Sequence, residues 1–340
     1  MLGLPPLLRT LEAALRDIEH ERQRVRLSAL HDLVRLARGP ARPRALVAIG
    51  AALLRDPSAE IRAEAAVGLA DSEAHEAKGE LLAALEDAHL RVRQMVVLAL
   101  GEVTEPGDTE VIEAIRPLLV HEEAALRFQA LMAFERLAGN EAETALVRAS
   151  GDDDDEVRCM AFRLADQRFA NEEPPRALVE RARAAVMGPP TVASTTAALF
   201  LSSHADRSAD GVLVLALEGK VPVGTAADLQ AVMEVVADLG LQAARVPLAR
   251  RAFGAFGVRH DALGWQACIA LTRLGDERAE RAILRGLSAW TRDRRTLAVV
   301  AAGRARLKRA HETILGFRGD PTRADPEAVD EALSWLERVE

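Results

Sequence analysis

Aromatic residues are scarce in this chain. Phe and Trp together make up 3% of 340 residues, and there is no Tyr. Rings therefore cannot fill a core of this length. It must be built from Ala, Leu and Val, side chains that suit closely approaching helices. Cysteine is nearly absent too: Cys159 and Cys268 lie far apart, neither with a C-x-x-C partner. That spacing argues against a zinc site or a disulfide framework and fits a reducing cytoplasm. No run of about 18 apolar residues occurs, so no membrane-spanning helix is expected. The apolar stretch within Met1 to Arg9 is too short for a secretion-signal core and leads directly into a charged amphipathic helix. A surplus of positive charge is also missing. The net charge is -8, which argues against general attraction to nucleic acid or anionic membrane.

What the chain has is repetition. A phrase recurs every 31 to 36 residues: an acidic turn, then Val-Arg or Ile-Arg, then small and aliphatic residues. Val25-Arg26 is followed by Ala29, Leu30 and Leu33; Ile61-Arg62 by Ala65, Ala66 and Leu69; Val92-Arg93 by Val96, Val97 and Leu100. Leu126-Arg127 and Val157-Arg158 open two more copies. Weaker copies can be phased at Val192, Asp228, Leu263 and Leu297, giving about nine units. A period of this size marks a solenoid, in which each unit packs only on its neighbours. With the first residue of each pair as position 0, apolar positions 0, +4, +5 and +8 form one helical stripe. A second amphipathic helix precedes each stripe, so each unit reads as a helical hairpin.

The phrases D-P-S-A-E-I-R-A-E-A-A-V-G-L-A at 56 to 70 and D-A-H-L-R-V-R-Q-M-V-V-L-A-L-G at 87 to 101 resemble HEAT repeats, in the short bacterial form of bilin-lyase-type HEAT-like proteins. The resemblance implies an all-α fold, a curved α-solenoid whose second helices line the concave side. Regular repeats are expected over 1–173, with degenerate repeats over 174–340 continuous with the first half. The stretch from Pro174 to Pro222, rich in Pro, Gly, Ser and Thr, leaves its helix boundaries undefined.

Several residue groups are candidates for function. An acid stands six residues before the Arg in three repeats: Asp56 with Arg62, Asp87 with Arg93, and Asp152 with Arg158. Such Asp residues would cap the second helix, and the Arg would reach a neighbouring turn carboxylate, making a structural ladder. His-Glu pairs occur at His20, His75, His121 and His311. The HEAT-repeat enzyme deoxyhypusine hydroxylase holds iron with His-Glu directly after the Val-Arg step. Here only Val258-Arg259-His260-Asp261 is similar, so neither a metal nor another cofactor is expected. The acidic run Asp152 to Glu156 lacks the spaced ligands and interior Gly of a calcium loop and reads as a helix cap.

Charge is uneven along the chain. Residues 71–125 hold 13 Asp and Glu against 4 Lys and Arg, whereas 251–310 hold 13 Lys and Arg against 5 Asp and Glu. In the basic segment Arg292, Arg294, Arg295, Arg304, Arg306, Lys308 and Arg309 form a candidate surface for an anionic partner, with Trp265 and Trp290 near in sequence. HEAT-like alkylpurine DNA glycosylases use a basic and aromatic concave face in this manner, but no catalytic Asp can be placed here.

Positions +2, +3 and +6 of the second helices should face the groove. They turn apolar in mid-array: Met95 and Leu98, then Phe128 and Met132, then Cys159 and Met160. Three of the six Met residues fall in this strip. Flexible, polarizable Met side chains suit a surface that accepts a partner helix or peptide. The sequence therefore predicts a cytoplasmic, non-catalytic protein-binding scaffold anchored by Met95, Leu98, Phe128, Met132, Met160 and Trp265. Nucleic-acid binding through residues 292–309, or a bilin-lyase-like chaperone or modifying role, is the alternative.

Overall fold

A computed structural model describes residues 8–254, 257–258 and 261–337. Arg259 and His260 of the His-Asp motif lie outside the described residues. The chain forms two units, residues 1–168 and 169–340.

Unit 1 is five helical hairpins. Its first helices are α1 (Leu11–Asp17), α3 (Arg42–Arg55), α5 (Lys78–Ala84), α7 (Thr109–Ile115) and α9 (Ala142–Ala149). Its second helices are α2 (Gln23–Leu36), α4 (Ala59–Asp71), α6 (Leu90–Val103), α8 (Ala124–Leu137) and α10 (Asp155–Arg168). Each second helix packs on the next, α2 on α4, α4 on α6, α6 on α8 and α8 on α10, more closely than the first helices pack on one another. The closer-packed layer is the inner one, so unit 1 bends toward its second helices.

The predicted stripe is the core. Ile61, Ala65, Ala66 and Leu69 of α4 are fully buried, as are Val92, Val96, Val97 and Leu100 of α6. In α4, α6 and α8 position +7 is buried as well and carries Gly68, Ala99 and Ala133, and α6 has a further Gly at 101; these small residues let the inner helices approach. An added Cβ at Gly68 would come within 2.5 Å of Val34 Cγ2, and one at Gly101 within 3.0 Å of Ala133 Cβ.

Unit 2 is five further hairpins. The first helices are α11 (Arg176–Met187), α13 (Asp210–Leu217), α15 (Arg245–Ala252), α17 (Glu277–Gly286) and α19 (His311–Leu315). The second helices are α12 (Val192–Ser203), α14 (Ala226–Asp238), α16 (Ala262–Arg273), α18 (Arg292–Arg304) and α20 (Pro326–Glu337). A two-residue antiparallel pairing, β1 (Phe253–Gly254) with β2 (Gly257–Val258), stands between α15 and α16.

The described residues thus hold ten hairpins where the sequence phase gave about nine. Of the weak copies only Asp228 is in phase: α12 begins its repeat at Ser194-Thr195 rather than Val192, α16 at Gly264-Trp265 rather than Leu263 and α18 at Arg294-Arg295 rather than Leu297, and α20 is a further copy that carries no Arg. The poorly defined stretch resolves into α11, α12 and α13. In α12 nearly the whole circumference is buried, including Ser194, Thr195 and Thr196. Ser194 and Thr196 are satisfied locally, donating to the Pro189 and Val192 carbonyls at 3.1 Å, whereas Thr195 reaches the Pro222 carbonyl at 2.7 Å.

Five of the second helices, α4, α12, α14, α16 and α18, end in a shared way. Glu73, Ala205, Gly240, Gly275 and Arg306 all follow a second helix in left-handed backbone. In each case the next N–H returns to a carbonyl five residues back, for example Asp206 to Leu201 at 2.9 Å and Leu241 to Val236 at 2.9 Å. This is a Schellman stop, which places no steric burden on Gly and some on any other residue.

Candidate functional site: an inter-repeat ladder and an inner apolar strip

The recurring Arg of each phrase is the fourth residue of its second helix. From there its guanidinium reaches two turns at once. Arg26 donates to both carboxylate oxygens of Asp56 at 2.8 and 3.0 Å, and to the His20 and Glu21 carbonyls of its own turn at 3.0 Å. Arg62 does the same to Asp87 at 2.7 and 3.0 Å and to the Asp56 carbonyl at 2.8 Å. Arg127 grips Asp152 at 2.8 and 2.6 Å and the His121 and Glu122 carbonyls at 2.8 Å. The Asp carboxylate meanwhile accepts the N–H two residues on, as Asp56 does from Ser58 and Asp87 from His89, both at 2.8 Å.

The pairing therefore runs between repeats. Within one turn, Arg62 meets only the Asp56 backbone, and Arg158 meets the Asp152 and Asp153 carbonyls together with the Asp155 carboxylate. Arg26 and Arg127, which the sequence pattern of acid and Arg six residues apart leaves out, are full members of the ladder.

The electrostatics follow from this geometry. The hydrogen bonds from Arg62 hold the Asp87 carboxyl below its ordinary range against the opposing effect of burial. At Asp152 burial works against the charge, and the bonds from Arg127 and the Asp154 N–H outweigh it, so its pKa is also lowered. Within unit 1 the ladder breaks at Arg93. Where Asp would face it the chain has His121, whose Nδ1 takes the Glu123 N–H at 3.0 Å, and Arg93 Nε is buried without a hydrogen-bond partner among the described residues. The acidic series also stops after Asp152, since the turn before α12 carries Pro189 at the corresponding position.

Two further sets of ion pairs, which the sequence reading missed, join neighbouring repeats. At the starts of first helices, Arg42 pairs with Glu76 at 3.0 Å and Lys78 with Asp108 at 2.9 Å. At the ends of second helices, Arg136 pairs with Glu102 at 2.8 Å and Arg168 with Glu135 at 3.4 Å. Their signal was the same 30-odd residue spacing, hidden because either sign of charge is common on a helix face.

On the inner face of unit 1, Met95 and Leu98 of α6, Phe128 of α8 and Met160 of α10 are each half-buried, and Met132 of α8 is 39% exposed. None belongs to the buried stripe. Cys159 does: it is 6% exposed and packs inside. The pairs Arg91–Glu64 and Arg136–Glu102 come from the same inner helices that carry Met95, Leu98, Phe128 and Met132.

Trp265, assigned to the groove from sequence, belongs to unit 2. It occupies the ladder position of α16, its ring 3.3 Å from where a Cβ on Gly286 would stand. Trp290 is 97% exposed in the turn before α18.

The basic cluster is not one free surface. Arg295 is the ladder residue of α18, spending its donors on the carbonyls of Ala289, Trp290, Thr322 and Arg323 at 2.6 to 3.0 Å. Arg292 pairs with Asp325 at 3.3 Å and Arg309 with Glu280 at 2.8 Å. Arg304 and Arg306 line a small cleft together with Glu234 and Asp238. Arg294 and Lys308 are exposed.

No group of three or more His, Cys, Asp or Glu among the described residues is arranged to hold a metal. Burial pushes the Cys268 thiol up to about 12, which leaves it protonated and unreactive.

Residues 46–119 match the family model for HEAT repeats. Outside that stretch the described residues continue as helical hairpins, and the fold class is the all-α solenoid. Among solved structures, YibA of E. coli superposes with a TM-score of 0.53 at 15% identity, covering 78% of this chain and 93% of its own. Kap121p, solved bound to Pho4p, superposes with a TM-score of 0.54 at 12% identity over 97% of this chain and 41% of its own. At these identities the likeness is one of fold. No curated protein sequence matches the chain. Among the described residues no helix is long and apolar enough to cross a membrane.

Proposed function

We propose that this chain is a non-catalytic cytoplasmic scaffold or adaptor that holds a helix or extended peptide of another protein on the inner face of unit 1. The observation that carries the reading is the strip Met95, Leu98, Phe128, Met132 and Met160, which lies outside the buried stripe on three successive inner helices. An apolar strip bordered by charge is the usual form of an interface. The ladder supports it by fixing the spacing between those helices, so the surface is preorganised and little ordering entropy opposes association. Kap121p offers a parallel, as a solenoid of the same fold solved with a protein partner.

Phe128→Asp with Met132→Asp tests the reading. Both side chains retain solvent access, so helical content and melting should change little, while capture of a partner from nuclease-treated native lysate should be lost. Capture that survives the double substitution would remove the strip as the binding surface. Nucleic-acid binding is the weaker reading, because Arg292, Arg295 and Arg309 are already engaged within the chain. A bilin-lyase-like modifying role lacks a convergent nucleophile and base among the described residues.

A further inference from the structure

Unit 2 changes the ladder residue from helix to helix. The fourth residue is Thr195 in α12, Leu229 in α14, Trp265 in α16, Arg295 in α18 and Val329 in α20. Thr195 still crosses to the next turn, its hydroxyl donating to the Pro222 carbonyl at 2.7 Å. Trp265 fills its slot with an indole against Gly286. Leu229 is too short to do either, and beside it lies a cavity of about 360 Å³.

The walls of that cavity include Val221, Pro222, Val223, Leu229 and Met233, and among the described residues the sole charged one lining it is Arg251, near the end of α15. Arg251 Nε is buried and has no hydrogen-bond partner among those residues. Glu218, close in sequence to the cavity loop, is held by Lys220 at 2.6 Å. Arg251 as a whole is half-buried, but its Nε is a buried donor left unpaired with no ion pair among the described residues, and a planar carboxylate matches the guanidinium fork.

The geometry points to a binding site for an aliphatic monocarboxylate, its carboxylate on Arg251 and its chain against Leu229, Met233 and Val223. A single guanidinium balances one negative charge, which favours a carboxylate over a phosphate dianion. The volume lies near the lower end of small-molecule sites and suits a chain of roughly six to eight carbons. A free fatty acid and the C-terminal carboxylate of a peptide ending in Leu share this chemistry.

Isothermal titration calorimetry of the full chain with octanoate, octanol, octylamine and the tripeptide Ala-Ala-Leu, as free acid and as amide, tests it. One equivalent of octanoate or of the free-acid peptide should bind, with octanol, octylamine and the amide at least about tenfold weaker, because they leave Arg251 unpaired. Preference for octanoate identifies a free acid as ligand; preference for the free-acid peptide identifies a chain terminus. Arg251→Met should weaken binding at least about tenfold. Leu229→Trp, which copies the indole that Trp265 supplies in the next repeat, should fill the hollow and abolish binding even if Arg251→Met fails to fold. Equal binding of octanoate and octanol, binding indifferent to Leu229→Trp, or no saturable binding by either carboxylate would overturn the assignment.

Discussion

Replacing His121 with Asp should complete the ladder of unit 1. The turns at Asp56, Asp87 and Asp152 share one geometry: a carboxylate accepts the N–H two residues on and a bidentate guanidinium from the preceding repeat. His121 preserves the first contact through Nδ1 but offers Arg93 no anion, and Arg93 Nε remains buried without a hydrogen-bond partner among the described residues. The flanking pairs show the environment the new carboxylate would enter, with side chains 13% and 11% exposed at Arg62–Asp87 and 15% and 13% at Arg127–Asp152. Hydrogen bonds to charged groups contribute about 1.5–3 kcal/mol. Desolvating a new carboxylate offsets part of this, leaving a net gain of about 1–2 kcal/mol. For a unit of this size each kcal/mol raises Tm by about 2–4 °C.

Urea and thermal unfolding of wild type, His121→Asp, Arg93→Met and the double variant would measure the gain and the coupling. The coupling should be about 1 kcal/mol or more. If His121→Asp is neutral or destabilising to the same extent with and without Arg93, the ladder is not a between-repeat stabiliser and the reasoning fails. The gain should also disappear in acid. A carboxylate with a depressed folded pKa contributes fully above its unfolded value near 4 and loses the contribution as pH falls through the folded value.

Four further outcomes follow from the structure. Asp56→Ala should lower stability by about 3–5 kcal/mol in urea unfolding, since Arg26 and Asp56 side chains are only 10% and 4% exposed and the cation would be left unpaired. Acid titration of the wild type should show stability falling below about pH 4 as Asp87 and Asp152, both with lowered pKa values, take up protons, a loss that Arg62→Met and Arg127→Met should blunt. Ala205→Gly, at φ 60°, should raise stability by about 1 kcal/mol, whereas Gly303→Ala should lower it by about 1–3 kcal/mol because the new Cβ would lie 2.7 Å from Ala332 Cα; thermal melts of the two variants measure both.

The sequence by itself determined the class of fold and much of unit 1. A helix exposes its periodicity directly, so the stripe at 0, +4, +5 and +8 identified Ile61, Val92, Leu126 and Val157 as core, and all four are buried. It also separated Met95, Phe128 and Met132 from that core. The tertiary structure decided which charges meet. Nothing in the phrase around Asp87 says that its partner is Arg62 and not Arg93, because that choice depends on how one hairpin stacks on the next. For the same reason unit 2 was hard to read. When stacking is carried by backbone carbonyls, as at Thr195 and Arg295, or by an indole, as at Trp265, the acidic turn is no longer required and the written motif fades while the hairpin remains. The basic segment likewise read as one surface until three-dimensional contacts showed Arg292, Arg295 and Arg309 paired with groups about 30 residues away, a distance that only packing can close.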